Sequence, residues 1–199
     1  MTIQREIRRS EATIQWLDRQ IDGVETKSDD RTRLAACCLH MAHEHHKAIV
    51  LLVAKSLVGS AFALVRLIFE AYVRGIWLHR CASDREVARF KAEKLKKGFD
   101  VLVQEIEELD GFESGTLSNM KKKSWKAMNS FTHTGFAQAV RRTTDTTIEP
   151  NYDAQEVLEA LHFSRAIDFL SAIATADLAG NLKLANDVLE RATVVTTEP

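Results

Sequence analysis

The chain has 199 residues, of which 45% are hydrophobic and 28% are charged, values typical of a globular protein large enough to form a core. It contains only two prolines and eight glycines, which excludes collagen-like sequences, long proline-rich linkers and most turn-rich β folds. The 27 basic and 28 acidic residues give a net charge of -1, so the chain lacks the general positive charge of many nucleic-acid-binding proteins, although a local basic patch is compatible with this balance.

Helical periodicity extends along almost the whole chain. A first helix is predicted over residues 2–22. Acidic and N-cap residues at 28–30 begin a second helix, predicted to run to about Leu57. Its apolar positions follow helical spacing, and His45 lies at the centre of this stripe.

A break at Gly59 is expected to separate the second helix from a third, over residues 60–81. This third helix is apolar on nearly all sides, which predicts a position at the centre of a helical bundle. The S-x-x-E sequence Ser83–Glu86 is a capping box that begins a fourth helix. Apolar periodicity predicts that the fourth helix continues to about Leu109.

The C-terminal half is predicted to contain a fifth helix around Trp125, a short helical piece before Pro150, a sixth helix capped by Asp153 and a last, shorter helix. The core is expected to end near residue 192, with a frayed tail at 193–199. There is no internal repeat and no strand-like alternation of useful length. The sequence therefore predicts one all-α domain over residues 1–199, a bundle of six to seven helices.

The three cysteines do not form a disulfide framework. Cys37 and Cys38 are adjacent on a predicted helix and point about 100° apart, and we expect both to be reduced, like Cys81. The N-terminus has no apolar signal-peptide segment, and three charges interrupt the longest apolar stretch, residues 60–78. These features predict a cytoplasmic protein without a membrane span.

The third predicted helix carries Arg66, Glu70 and Arg74 at intervals of one turn, on one face of the helix. Charges on such an apolar helix need partners, because an unpaired buried charge costs several kcal/mol. In one interpretation the three residues form a structural ladder that neutralises itself and fixes packing. In the other they line a cleft where an arginine, oriented by Glu70, binds a phosphate or another anion.

Several histidines cluster between His40 and His46. Helical angles separate them, and His43 and His46 have no Glu-x-x-His partner on another helix, so we predict no metal site. His45 is instead a candidate ligand-binding residue, because a buried histidine needs a hydrogen-bond partner. Glu70 or an arginine of the third helix is the expected partner.

His133 lies at a predicted helix end, where its side chain can face a cleft and act as a general acid or base near neutral pH. It belongs to the most basic stretch of the chain, residues 121–142, which contains no acidic residue and ends in Arg141 and Arg142. This stretch is either a solvated surface or a patch that binds RNA or another phosphate-bearing ligand.

Three segments of the chain resemble a family of uncharacterised bacterial helical proteins: His45-His-Lys-Ala-Ile49, the Arg66-x3-Glu70-x3-Arg74 helix, and Phe131-Thr-His-Thr-Gly135. That family is similar to the HEPN superfamily of compact, usually dimeric helical bundles. Many HEPN proteins are metal-independent RNases of toxin–antitoxin and phage-defence systems, and others are non-catalytic nucleotide-binding or interaction modules. The resemblance implies a homodimer without a cofactor, with RNA or a nucleotide as ligand and an antitoxin-type protein as a candidate partner.

HEPN RNases carry an arginine followed, after four to six residues, by a histidine. Here His133 has Lys126 at that spacing, so the resemblance implies a composite site. In this site His133 is the general acid or base, Arg66 and Arg74 stabilise the pentacoordinate phosphate, and Glu70 orients an arginine. The alternative is a non-catalytic ligand-binding or protein-interaction module on the same fold, in which the charged ladder is structural.

Overall fold

A computed structural model describes residues 2–197, and within this range the chain is helical without strands. The helices are, in chain order, α1 (Ile3–Ile21), α2 (Asp30–Ala54), α3 (Val58–Arg80), α4 (Asp84–Lys91), α5 (Phe99–Glu107), α6 (Thr116–Thr132), α7 (Phe136–Ala139), α8 (Ala154–Leu178) and α9 (Leu182–Thr197). A 3₁₀ turn, Val140–Arg142, follows α7. The prediction of an all-α protein is confirmed, although the described residues form more helices than the six or seven expected.

Side-chain caps fix the starts of three helices at the predicted places. The Asp29 side chain accepts a hydrogen bond from the backbone N–H of Thr32 at the start of α2. Ser83 and Glu86 form a complete capping box at the start of α4. Asp153 caps α8 by accepting from two backbone N–H groups. Each of these bonds satisfies a donor that the first helical turn would otherwise leave unpaired.

The predicted break at Gly59 is wrong. The chain turns three residues earlier, at Ser56, whose φ of 59° lies in the left-handed region, and Gly59 belongs to the first turn of α3. A Cβ at Gly59 would lie 2.5 Å from the Tyr152 hydroxyl. The glycine therefore permits close approach of the segment before α8 instead of ending a helix.

The predicted fourth helix is in fact two helices, α4 and α5. A seven-residue connection, 92–98, separates them, and Glu93 within it has a φ of 56°. Apolar residues on both sides of the connection pack against the same core, including Val87 and Leu102. A single core face shared by two short helices explains why the apolar pattern resembles one long helix.

The last helix is longer than predicted. α9 continues to Thr197, through most of the segment expected to fray from residue 193, whereas residues 198 and 199 lie outside the described range. Val195 is 3% exposed because it packs in a small apolar cluster with Leu17 and Phe169. This cluster attaches α9 to α8 and α1.

α3 lies at the centre of the bundle, in contact with α2, α5, α6 and α8. Its buried residues occur on nearly all sides of the helix, as its sequence predicts. The closest approach is to α2, where a Cβ at Gly75 would lie 2.8 Å from both Cγ and Cδ2 of Leu39. None of the helices within residues 2–197 combines the length and hydropathy needed to cross a membrane.

The tight α2–α3 contact predicts that Gly75→Ala destabilises the protein by about 1–2 kcal/mol. An added methyl group in a well-packed core costs about 1–3 kcal/mol, and the higher helix propensity of alanine offsets up to about 1 kcal/mol. Leu39 is 1% exposed and has little room to move. Urea unfolding followed by circular dichroism measures the effect. Gly98→Ser is the control, because a Cβ at this α5 N-cap meets no atom within 4 Å; equal stability losses in both variants would contradict the prediction.

Candidate functional site

Four side chains from α3 and α6 meet at the surface. Arg66 Nε donates to Glu70 Oε1 at 2.7 Å, one turn along α3. Arg66 Nη1 lies 2.8 Å from Nε2 of His133, the C-cap residue of α6. The guanidinium also lies over the ring of Trp125, 4.8 Å from its centroid, at a distance typical of a cation–π contact. We call Arg66, Glu70, Trp125 and His133 the arginine cluster.

Packing between α3 and α6 positions this cluster. The Thr132 hydroxyl, next to His133, contacts the Ala63 carbonyl oxygen of α3 at 3.3 Å. Phe62 and Phe131 pack edge to face, with their ring centroids 4.9 Å apart. The end of α6 is thereby fixed on α3, and it presents His133 at an exposed position.

The ring of Trp125 is also fixed, from the α5 side. Phe99 stacks on it with a centroid distance of 4.8 Å and an interplanar angle of 9°. A second cation, the Lys121 ammonium, lies 5.0 Å from the Trp125 centroid. Trp125 is therefore a rigid surface against which the Arg66 guanidinium is held.

The contact with Arg66 determines which nitrogen of His133 carries the ring proton. Arginine has donors and no acceptor, so His133 Nε2 accepts the hydrogen bond and Nδ1 carries the proton of the neutral ring. A neutral imidazole with an unprotonated nitrogen is the form of histidine that can accept a proton in catalysis. Arg66 and His133 together thus provide a permanent cation beside a base.

Arg74 does not join the arginine cluster. It lines a separate cavity of about 430 Å³ next to Phe90 and Leu95 of the α4–α5 region. Glu70 already binds Arg66, and within residues 2–197 Arg74 makes no ion pair with it. The predicted three-residue ladder is therefore a two-residue pair.

The basic stretch 121–142 is partly neutralised by acidic residues from other segments. Arg141 Nε donates to Glu156 Oε2 at 2.9 Å, and this hydrogen bond raises the pKa of Arg141. Lys121 forms an ion pair with Asp100. Four cations of the stretch are exposed and have no ion pair with any residue in the described part of the chain: Lys122, Lys123, Lys126 and Arg142.

His45 is not the buried histidine of α2. It is half-buried and makes no hydrogen bond with any residue within 2–197, and burial lowers its pKa. His43 and His46 are the buried ones, at 3% and 0% exposure. The prediction of a buried His45 assumes that α2 has a single apolar stripe. In the structure α2 is covered on two sides, by α3 on one and by α1 and α8 on the other.

His43 and His46 belong to a buried polar network that joins three helices. His43 Nδ1 lies 2.6 Å from Asp168 Oδ1 of α8, and its Nε2 lies 2.9 Å from Asp18 Oδ1 of α1. His46 Nδ1 lies 3.0 Å from the Ser164 hydroxyl. In the sequence, the signal for this network is that Ser164 and Asp168 are four residues apart, about one helical turn, and so lie on the same side of α8. Among residues 2–197, no group of three or more His, Cys, Asp or Glu side chains has the geometry of a metal site.

The two buried histidines have opposite pKa shifts. Burial by itself lowers the pKa of His43, but its hydrogen bonds to Asp168 and Asp18 and the Asp168 charge outweigh burial, and the pKa is raised. The pKa of His46 is lowered, because burial outweighs the attraction of Asp168, whose Oδ2 lies 4.0 Å away. The network therefore favours a charged His43 and a neutral His46.

A family model described as a family of unknown function, DUF6988, matches residues 39–194, and the chain belongs to this family. The matched region contains the whole arginine cluster, and it contains His43 and Asp168 of the buried network. No curated protein and no solved structure matches the chain.

The pKa shift of His43 predicts a pH dependence of stability. Its folded-state pKa lies above the unfolded value of 6.5, so its stabilising effect is complete below pH 6.5 and is lost as the pH rises through the folded-state pKa. We expect the unfolding free energy of the wild type to fall over this range relative to that of His43→Gln. Urea titrations between about pH 6 and pH 9 measure the difference.

His40→Gln is the matched control, because His40 is an exposed histidine of the same helix. Its stability profile should run parallel to that of the wild type. A His43→Gln profile that is also parallel to the wild type would contradict a raised His43 pKa.

Proposed function

We propose that this member of the DUF6988 family is a metal-independent RNase whose active site is the arginine cluster. The observation that carries the proposal is the 2.8 Å contact between Arg66 Nη1 and His133 Nε2, which joins residues 67 positions apart. An arginine and a histidine are also the functional pair of the HEPN RNases that the sequence resembles. In this chain the two residues come from different helices.

The proposed reaction is attack of a ribose 2′-hydroxyl on the neighbouring phosphorus. His133 Nε2 takes the hydroxyl proton, the new P–O2′ bond forms and the P–O5′ bond breaks. The products are a 2′,3′-cyclic phosphate and a 5′-hydroxyl, whose oxygen takes a proton from water. This route needs no redox partner and no metal-bound water.

Arg66 has two roles in this reaction. When a phosphate binds, Nη1 moves from His133 to a non-bridging phosphate oxygen, which frees Nε2 to act as the base and places positive charge where the pentacoordinate phosphate forms. Meanwhile Glu70 keeps its bond to Nε, and Trp125 keeps the guanidinium plane in place. Glu70 is thus a positioning residue.

The exposed cations Lys122, Lys123, Lys126 and Arg142 suit the binding of an RNA backbone. They lie on α6 and on the 3₁₀ turn, on either side of His133 in the chain. Arg141, in the 3₁₀ turn, is bound to Glu156. Because this carboxylate neutralises its charge, Arg141 contributes less to RNA binding than the four exposed cations. Arg74 has no part in the proposed reaction. The proposal also includes a homodimer and an antitoxin-type protein partner. Both rest on the sequence resemblance alone.

A second function is favoured by the number of contacts that Arg66 already makes. Glu70, Trp125 and His133 engage its guanidinium on three sides. An arginine held in this way can serve packing alone, and the protein is then a non-catalytic ligand-binding or interaction module. Substitutions in the cluster distinguish the two functions.

The RNase proposal predicts that purified wild-type protein cleaves mixed RNA in the presence of EDTA. His133→Ala and Arg66→Ala should each lower the cleavage rate by about 100-fold or more, because each removes a group that acts on the reacting atoms. Arg66→Lys should retain part of the rate, since lysine keeps the charge but loses the planar fork. Gel analysis of 5′-labelled RNA measures the rates and identifies the cyclic-phosphate ends.

His40→Ala and Arg33→Ala are the controls, because both residues are exposed and lie on α2, outside the cluster. Their rates should equal that of the wild type. Absence of cleavage by correctly folded wild type contradicts the RNase proposal and favours the interaction module. In that case Arg66→Ala should mainly destabilise the fold, by about 1–3 kcal/mol, through the unpaired Glu70.

A further inference from the structure

The cavity of about 430 Å³ that contains Arg74 lies beside the connection between α4 and α5, residues 92–98. Its walls come from the first part of α2, the middle of α3, the end of α4, the connection itself and α5. The described residues that line it include no member of the arginine cluster, so the two sites are separate. Its volume lies in the range of small-molecule sites.

Arg74 enters this cavity from the central helix α3 without a protein partner. The side chain is half-buried, and it makes no hydrogen bond, ion pair or aromatic contact with any residue within 2–197. A guanidinium is always charged and has five N–H donors in a fixed plane. Partial burial takes water from these donors and provides no acceptor in exchange, which is energetically unfavourable. An anion in the cavity would supply the missing acceptors.

The lysines of the same cavity differ from Arg74, because both already have carboxylate partners. Lys91 Nζ lies 2.8 Å from Asp30 Oδ2. Lys97 Nζ forms ion pairs with Glu86 and Glu105, at 2.5 Å and 2.7 Å. The charges of these two ammonium groups are therefore largely neutralised, and Arg74 is the cation of this lining that a ligand can engage.

The apolar part of the lining surrounds this charge. Leu34 of α2, Phe90 of α4, Leu95 of the connection and Leu102 of α5 provide it. Leu102 is 1% exposed, and the other three are partly buried and pack against the core. A ligand that matches both features has an anionic end and a hydrocarbon part.

Glu93 of the connection indicates how much negative charge this ligand can carry. Its side chain is exposed, lines the cavity and forms no ion pair with Arg74. The repulsion from a fixed carboxylate grows with the charge of the ligand. A phosphate monoester carries a charge of about -1.5 to -2 at pH 7, whereas a carboxylate carries a single negative charge. Glu93 therefore favours a carboxylate over a phosphate.

We propose that this cavity binds a small amphipathic carboxylate, a monoanion with a short hydrocarbon chain. Two N–H groups of the Arg74 guanidinium donate to the two carboxylate oxygens, in the paired geometry that arginine and carboxylates share. The hydrocarbon chain lies against Phe90, Leu95 and Leu102. This site is independent of the proposed RNase activity.

Isothermal titration calorimetry with sodium hexanoate tests the proposal. The comparison probes are 1-hexanol, which has the chain without the charge, acetate, which has the charge without the chain, and n-hexyl phosphate, with sodium chloride as the salt control. We expect saturable binding of hexanoate and at least about tenfold weaker binding of hexanol and acetate. No saturable heat with hexanoate, or an equal affinity for hexanol, would overturn the proposal. Tighter binding of hexyl phosphate would overturn the assignment to carboxylates.

Two variants with opposite expected effects place the carboxylate at Arg74. Arg74→Gln should weaken hexanoate binding at least about tenfold and leave hexanol binding unchanged. Glu93→Gln removes the repulsion and should tighten hexanoate binding about twofold to fivefold. Arg89→Gln is the matched control, because it removes an exposed arginine of α4 that does not line the cavity, and hexanoate affinity should stay at the wild-type value.

Wild-type affinity for hexanoate in Arg74→Gln would overturn the proposal. The Glu93→Gln variant keeps the test independent of any effect of Arg74 on folding, and an unchanged or weaker affinity there would place the carboxylate elsewhere. NMR gives a further readout, since the hexanoate chain should show nuclear Overhauser contacts to the Phe90 ring and to the methyl groups of Leu95 and Leu102. Absence of these contacts at saturating hexanoate would overturn the proposed position of the chain.

Discussion

The rest of this structure depends on the burial of α3 on almost every side. A helix with apolar residues all round is stable only when other helices surround it, and α2, α5, α6 and α8 do so here. Gly75 brings α2 close, and the edge-to-face contact of Phe62 with Phe131 fixes α6. Polar side chains on such a helix need either a polar partner or a place that the neighbouring helices leave open to water. Arg66 and Glu70 lie at the edge of this covered surface, each with about one fifth of its side chain exposed.

The arginine cluster and the buried histidine network differ in what their surroundings permit. The arginine cluster lies at the surface, where a phosphate can approach and a guanidinium can change partner at small cost. His43 and Asp168 lie in the core, where each partner needs the other, because removing one leaves a buried charge unpaired. The first cluster is therefore accessible to a large ligand, whereas the second holds α1, α2 and α8 together.

Local signals in the sequence are sufficient for much of the fold and part of the site. The caps at Asp29, Ser83 and Asp153 depend on neighbouring residues only, and they are where the sequence predicts them. The Arg66–Glu70 ion pair is predicted by the spacing of the two residues, one helical turn apart on α3. The burial of His46 instead of His45 depends on which sides of α2 other helices cover, and helical periodicity alone does not contain that information. The contact between His43 and Asp168 joins residues 125 positions apart.

The buried His43–Asp168 pair also helps to fix the position of α8 along α2. Hydrophobic attraction is non-directional, so it discriminates less sharply than a hydrogen bond against the sliding of one helix along another by a turn. His43 and Asp168 do not tolerate it, because a shift of one turn, about 5.4 Å, breaks a 2.6 Å contact and leaves a carboxylate and an imidazole without partners. Ser164, one turn before Asp168, binds His46 and imposes the same register a second time. An apolar replacement of this network would give up that selectivity even if the helices packed equally well.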